Sequence, residues 1–367
     1  MHMRIGLAAT AAVVILSACG GGGSSSTSSN PPSGPVTTAV KVVGDSLSDS
    51  GTFGIKFTVQ GTPAYPIWTD RVASALAAPA LCSRYGAAPG DTPALKPGAA
   101  ACTSYGVGSA AINPRGSIKD TTPISVVQQL KDLRAQSPFG EQELLLVDGG
   151  GNDFADLAAD YATGRILGNY ANFDSLADEL VPPDDKIGLP RDQVGDLYAT
   201  RLANLLVDAL VTEALNRGAQ RIVVLTVPDI TRTPKFKQAM AVAQILDAAG
   251  AADVELAAAR WVSLFNTRLK ARLAVHSRVV VVDFHAELGK WLSSPGAYGL
   301  TNTTKPACPG SIATCTDTSL SAAPPVGESG PDWWKTYVFS DNFHGTPRTN
   351  ELMGDAVLRA LEAKGWK

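Results

Sequence analysis

A serine hydroxyl becomes a useful nucleophile only when a base takes its proton and a third group holds that base in the right tautomer. The stretch VVGDSLSDSG, residues 42–51, offers the serine. An apolar run stops at Gly44 and gives way to Asp45, Ser46, Leu47, Ser48 and Asp49. The base must be one of four histidines. His2 falls in the N-terminal leader, and His276 lies between a helix and a strand with no acid close in sequence. His285 follows Asp283 by two positions, and His344 follows Asp341 by three. In a loop or a single turn the second spacing lets the carboxylate reach the imidazole Nδ1. In a strand the first puts both side chains on one face, where burial opposes the charge of Asp283. Local chemistry favours His344 and keeps His285 as its rival.

These residues need elements to position them. TTAVKVVGDS reads as a short buried strand ending at Gly44, and PIWTDRVASALA, 66–77, has helical spacing. Residues 78–104 read as a loop, and 124–136 as an amphipathic helix. ELLLVDGGGNDF, 143–154, is a strand running into a glycine turn, and 160–195 is expected to be irregular. A long helix follows, with Leu202, Leu205, Leu206 and Leu210 inward and Gly218 at its left-handed end. A buried strand followed by a loop is expected over 220–234 and another strand over 278–284, with a long helical region over roughly 235–275 between them. Residues 292–335 are loop-rich, and a helix closes the chain. Apolar strands alternating with helices predict an α/β fold, a parallel sheet covered on both faces. Ligands bind at the carboxyl ends of such strands. That rule gathers Asp45 and Ser46, Asn152 and Asp153, Asp229 and Thr231, and His285. The segment YVFSDNFHGT, 337–346, adds Asp341 and His344.

The ends have another character. Arg4, an apolar stretch to Leu16 and LSAC ending at Cys19 form a signal-peptide layout over 1–18, too short for a permanent membrane span. LSAC resembles a bacterial lipobox, which implies an acylated Cys19 and a membrane attachment through that lipid. Residues 19–35 are a Gly/Ser/Pro-rich tether. Gly20 in place of an aspartate implies, by resemblance to enterobacterial lipoproteins, the outer membrane. The globular part is expected over 36–367 as one domain and as a monomer. With 45% hydrophobic residues, 18% charged residues and a net charge of −3, the chain has the composition of an ordinary globular protein, and nothing suggests a nucleic acid as partner. Setting Cys19 aside leaves Cys82, Cys102, Cys308 and Cys315. Export argues for disulfides, and proximity favours Cys82–Cys102 and Cys308–Cys315. A zinc site fits poorly, because no CxxC pair or nearby histidine accompanies them.

GDSLSDSG, GGGNDF and DNFH, in that order, resemble the GDSL or SGNH family of serine hydrolases. SYGVGSA, 104–110, is similar to the family's glycine block, VPDITRTP, 227–234, to its PDLGxTP segment, and SSPGAYGLTNTTKPAC, 293–308, to a stretch of its lipolytic members. The resemblance implies a three-layer α/β/α, flavodoxin-like fold around a mainly parallel sheet. It implies Ser46 as nucleophile and first oxyanion donor, His344 as base and Asp341 as its orienting acid. Gly108, with Gly106 close by, would supply the second oxyanion donor through its N–H, and Asn152 the third through its side chain. It implies hydrolysis of carboxylic esters, here of short to medium acyl chains, with no cofactor or metal. A carbohydrate or cell-wall acetyl esterase is the alternative, and a non-catalytic glycan-binding surface protein is a further one.

Competing readings exist for the same residues. Ser46 or Asn152 could each cap a helix, and a helix beginning after Ser46 would turn its positive end toward it. GGGND lacks the GK[ST] ending of a phosphate loop. Asp229 reads as loop-shaping, and Asp45 and Asp153 as structural. The pocket is assigned to insertions at 55–65, 155–195 and 292–335, which hold Phe57, Tyr65, Tyr161, Tyr170, Phe173, Tyr298, Trp333 and Trp334. One departure from the family is HGT in place of HPT, where Gly345 predicts a looser histidine loop.

Overall fold

The computed structural model describes residues 36–88, 90–116 and 121–367. The leader, Cys19 and the tether lie outside the described residues. In chain order the strands are β1 (Ala39–Val43), β2 (Tyr85–Gly86), β3 (Ala94–Leu95), β4 (Glu143–Val147), β5 (Arg221–Leu225), β6 (Val279–Val282), β7 (Asn302–Pro306) and β8 (Tyr337–Phe339). The helices are α1 (Trp68–Ala75), α2 (Val126–Gln136), α3 (Gly151–Leu167), α4 (Ala171–Asp178), α5 (Pro183–Lys186), α6 (Arg191–Glu213), α7 (Pro234–Leu246), α8 (Ala248–Leu273), α9 (Phe284–Ser293), α10 (Asp317–Ala322) and α11 (Pro347–Lys364).

The central sheet runs β1-β4-β5-β6, all parallel. Its strands are nearly all Val, Leu and Ile because both faces are covered. Alternation divides their side chains between two cores. Val43, Leu145, Val147, Ile222 and Val224 join Leu130 of α2, Phe154 of α3, Leu206 of α6 and Phe265 of α8. Val40, Val42, Leu144, Leu146 and Val223 join Trp68 of α1, Trp291 of α9 and Val357 of α11. The result is the expected mixed α/β architecture, a parallel sheet between helical layers. Beside β1, on the side away from β4, a single bridge between Val42 and Ser104 stands where a fifth strand would lie. A third, smaller core holds Val59, Cys308, Cys315, Leu320, Trp333, Trp334 and Tyr337, next to the two-stranded β7–β8 pair.

Several local expectations change. Residues 160–195 are largely helical, with α3 continuing to Leu167 and α4 and α5 following. Tyr161, Phe173 and Trp261 pack ring against ring there, which gives this insertion its own apolar anchor. The stretch 235–275 is two helices, because the Asp247 side chain accepts from Gly250 N and caps α8 where α7 ends. In α6, Leu202, Leu206 and Leu210 are buried and Leu205 only half-buried. Both cysteine pairs are joined, Cys82 to Cys102 and Cys308 to Cys315.

The largest correction lies after β1. No helix begins there, and α1 starts only at Trp68. Asp45 accepts from Leu47 N, and Asp49 accepts from Gly51 N and Thr52 N. Such local side-chain bonds compete with a helix, and Gly51 and Gly54 at positive φ complete the irregular path. Ser46 therefore caps no helix, and no helix of its own segment turns a positive end toward it.

Candidate active site

Ser46 sits at the carboxyl end of β1, only 4% exposed. Its Oγ lies 2.8 Å from His344 Nε2. His344 Nδ1 lies 2.8 Å from Asp341 Oδ2, so the carboxylate holds the proton on Nδ1 and leaves Nε2 to accept from the serine. Asp341 also accepts from the backbone N–H groups of Phe343 and His344. Burial works to raise the Asp341 pKa, but bonding and charge from His344 and these two N–H groups bring it below the ordinary value. It stays ionised across the working range.

The nucleophile turn is braced from behind. Gln129 of α2 accepts from Gly44 N at 2.7 Å and donates to Gly44 O at 2.9 Å. Ser48 Oγ donates to Asp148 Oδ1. A Cβ on Gly44 would collide with that same carboxyl, which explains the glycine at the strand end. Asp45 and Asp148 are both buried and interact electrostatically. Burial raises both pKa values, and the charge of Asp45 raises Asp148 further, well above the usual carboxylate range. Like charges this close resist ionising together, so the pair as a whole holds a proton above the usual carboxylate range.

The glycine block reaches the site along β1. Val42 N donates to Thr103 O, Tyr105 N to Val42 O, and Val107 N to Gly44 O. Asn152 stands in the first turn of α3, where Nδ2 donates to Ala110 O at 2.8 Å through one of its two hydrogens. Asp153 beside it accepts from Ile112 N and Asn113 N, tying the block to α3. Burial pushes its pKa up to about 6 despite those N–H groups. Gly108 does not stand as expected. Its N–H donates to Asp49 Oδ2 at 2.8 Å, and a Cβ there would run into Phe57. Packing thus explains this glycine, and its donor is already engaged. The next residue, Ser109, is exposed and holds φ at 66°, a left-handed conformation rare for a residue with a Cβ.

The acid that would orient the rival base is elsewhere employed. Asp283 caps α9 through Ala286 N and pairs with Lys270, and His285 N donates to Thr226 Oγ1. Asp229 shapes its loop by accepting from Thr231 N. Gly345 does not loosen the histidine loop. Its carbonyl accepts from Thr58 Oγ1 and Ser340 Oγ, and a Cβ would meet Thr349 at 2.7 Å. Of the eight insertion aromatics, Phe57 faces the site, 5.0 Å ring to ring from His344. Tyr161, Phe173, Trp333 and Trp334 are core residues. Sequence reasoning missed Gln129, Asp148 and Phe343. Phe343 follows the DN of the last block and had a legible signal, whereas the other two matter only through contacts distant in the chain. Among the described residues, no group of three His, Cys, Asp or Glu is placed to hold a metal ion.

A parallel α/β sheet with a hydrogen-bonded serine–histidine–aspartate chain at its carboxyl edge is the arrangement of a serine hydrolase. The family profile of the GDSL-like lipases/acylhydrolases matches residues 40–357, and the chain belongs to that family. Membership makes it a hydrolase of esters in the general sense. No curated protein matches the sequence. Among solved structures it is similar to a member of the lipolytic G-D-S-L family from Veillonella parvula, at 12% identity and a TM-score of 0.41, over 89% of this chain and 99% of that one.

Proposed function

We propose that this protein hydrolyses carboxylic esters of short to medium acyl chains through an acyl-enzyme. The observation that carries the reading is the unbroken chain from Asp341 through His344 to Ser46 Oγ. His344 Nε2 takes the serine proton as Oγ attacks the ester carbonyl, then protonates the departing alcohol. Water attacks the acyl-enzyme through the same base and frees Ser46. Ser46 N–H and the second hydrogen of Asn152 Nδ2 donate to the developing oxyanion. In place of Gly108 we assign the remaining backbone donor to Ser109, whose strained backbone beside the engaged glycine supports the assignment. Hydrolysis of p-nitrophenyl esters that vanishes in Ser46→Ala is the expected result. Turnover that survives in that variant sinks the mechanism.

A second reading, a carbohydrate or cell-wall acetyl esterase, draws on a wide cleft beside His344. Gln238, Asn302, Lys305, Ser311 and Asn342 line it, polar groups suited to a sugar. Release of acetate from acetylated xylan, faster than from simple esters, would favour it. The non-catalytic glycan-binding reading requires that wild type bind glycans and turn over no ester. We propose further that Cys19 is acylated and anchors the protein at the outer membrane. The lipobox-like LSAC and the tether after it support this, as do two disulfides of a kind favoured in exported proteins. Mass spectrometry of the mature N-terminus tests it, and any end other than acylated Cys19 refutes it.

A further inference from the structure

A groove of about 290 Å³ runs between α3 and α7. It lies at the lower end of the size of small-molecule sites, roughly 300–1,000 Å³. Ala155, Ala159 and Ala162 form one wall, at spacings that share a helix face. Phe236, Ala239 and Met240 form the other. The alanines keep the channel open, since any larger side chain on that face would fill it.

Polar side chains along the groove are few. Thr163 Oγ1 donates to Ala159 O, Thr233 Oγ1 donates to Ile230 O, and Lys235 lies over the Phe343 ring. Alanine, leucine, isoleucine, valine, methionine and phenylalanine side chains make up most of the lining, which suits an apolar occupant. The head of the groove meets the candidate site. Phe343 lines it, lies 5.8 Å ring to ring from His344, and sets its Cζ 3.9 Å from the place of a Cβ on Gly151. Asn152 follows Gly151, and Ala155 begins the wall within the next turn. From Ala155 to Leu167 the helix advances about 18 Å at ~1.5 Å per residue. At the far end Leu167, Val242 and Leu246 stand exposed, an apolar lip over which a longer chain can leave.

We propose that this groove holds the acyl chain of the ester and sets its preferred length. The inference rests on the ester-hydrolase reading above for its chemistry, and on the groove alone for its site. Each methylene buried on binding is worth about fourfold in affinity, so octanoyl esters outrun acetyl and butyryl ones.

The test uses full mature protein, p-nitrophenyl acetate, butyrate, octanoate and palmitate, and the fluorescent fatty acid cis-parinaric acid. Ala159→Trp and Ala239→Trp fill the groove from opposite walls at exposed positions, where folding is not at stake. Wild-type kcat/KM on octanoate should exceed that on acetate by about tenfold or more, and each variant should cut the octanoate-to-acetate ratio by about as much. Both variants should also weaken parinaric acid binding. A wild type that prefers acetate overturns the proposal, as do variants that slow all esters equally and bind the fatty acid unchanged. Fatty-acid binding lost in the variants, with no ester turned over by wild type, keeps the acyl site and removes the hydrolase reading. Ester turnover without chain preference or fatty-acid binding does the reverse.

Discussion

Ser46 and His344 meet across 2.8 Å but stand on different foundations. The nucleophile half grows from β1 in the central sheet. Its turn is clamped by Gln129 of α2 and by the Asp45–Asp148 pair, all buried. The base half grows from β8, which lies outside the central sheet and pairs with β7. Its loop is closed by Ser340 N to His344 O and by Thr346 N to Val338 O, and Cys308 N donates to Ser340 O beside it. Behind it lies the small core around Trp333, Trp334 and the Cys308–Cys315 bond. One half thus inherits the rigidity of the main core, and the other depends on a satellite that a disulfide helps hold together. Perturbations of the satellite should reach activity before they reach the fold.

Both halves are needed at once, so the strongest break comes from either reacting group. Ser46→Ala and His344→Ala should each lower kcat on p-nitrophenyl esters by about a million-fold. His285→Ala should stay within about twofold of wild type, and a large loss there would move the base to His285. Asp341→Asn should lose about ten-thousand-fold in kcat through the wrong histidine tautomer, and a loss within tenfold would detach Asp341 from the mechanism. Asn152→Ala should cost about a hundred- to a thousand-fold in kcat as one oxyanion donor goes.

The satellite gives a smaller effect that sharpens the contrast. The double variant Cys308→Ser, Cys315→Ser should lose about 2–3 kcal/mol of stability. Its kcat should fall about tenfold while its far-UV circular dichroism stays that of wild type. Equal loss of ellipticity and activity would merge the two halves into one cooperative unit.

The finest test concerns the proton behind the nucleophile. A carboxyl with a raised native pKa holds its proton in the folded state where the unfolded chain has released it. Stability then falls as pH rises from the ordinary carboxylate range through that native pKa. Asn cannot titrate, yet its side-chain oxygen can still accept from Ser48 as Asp148 does. The Tm of Asp148→Asn relative to wild type should therefore grow as pH is raised from about 4 to about 8. A constant difference would mean that Asp148 carries no such proton.

Much of the catalytic chain was legible because its chemistry is local. Asp341 and His344 lie three residues apart and bond within one turn, and the blocks around Ser46 and Asn152 follow apolar runs that end at the sheet's carboxyl edge. The helices of 160–195 were not legible, because their aromatic anchors find partners such as Trp261 far along the chain. The helix expected after Ser46 failed for a local reason, since Asp45 and Asp49 take the backbone donors it would have needed. Gly108 misled because a glycine kept for packing against Phe57 looks the same in sequence as one kept for its N–H.

By itself, then, the sequence determined the α/β alternation, the family, the three side chains that the structure links in one hydrogen-bonded chain, and both cysteine pairs. Each of these rests on residue type, period or short spacing. Only the tertiary structure decided which groups surround them. Gln129 reaches Gly44 across 85 positions, Asp148 lies behind Ser48 across 100, and His344 meets Ser46 across 298. The acyl groove likewise exists only because α3 and α7 pack with their alanines facing a gap. Contacts of that range are set by how the two cores close around the sheet, and no local pattern in the chain encodes them.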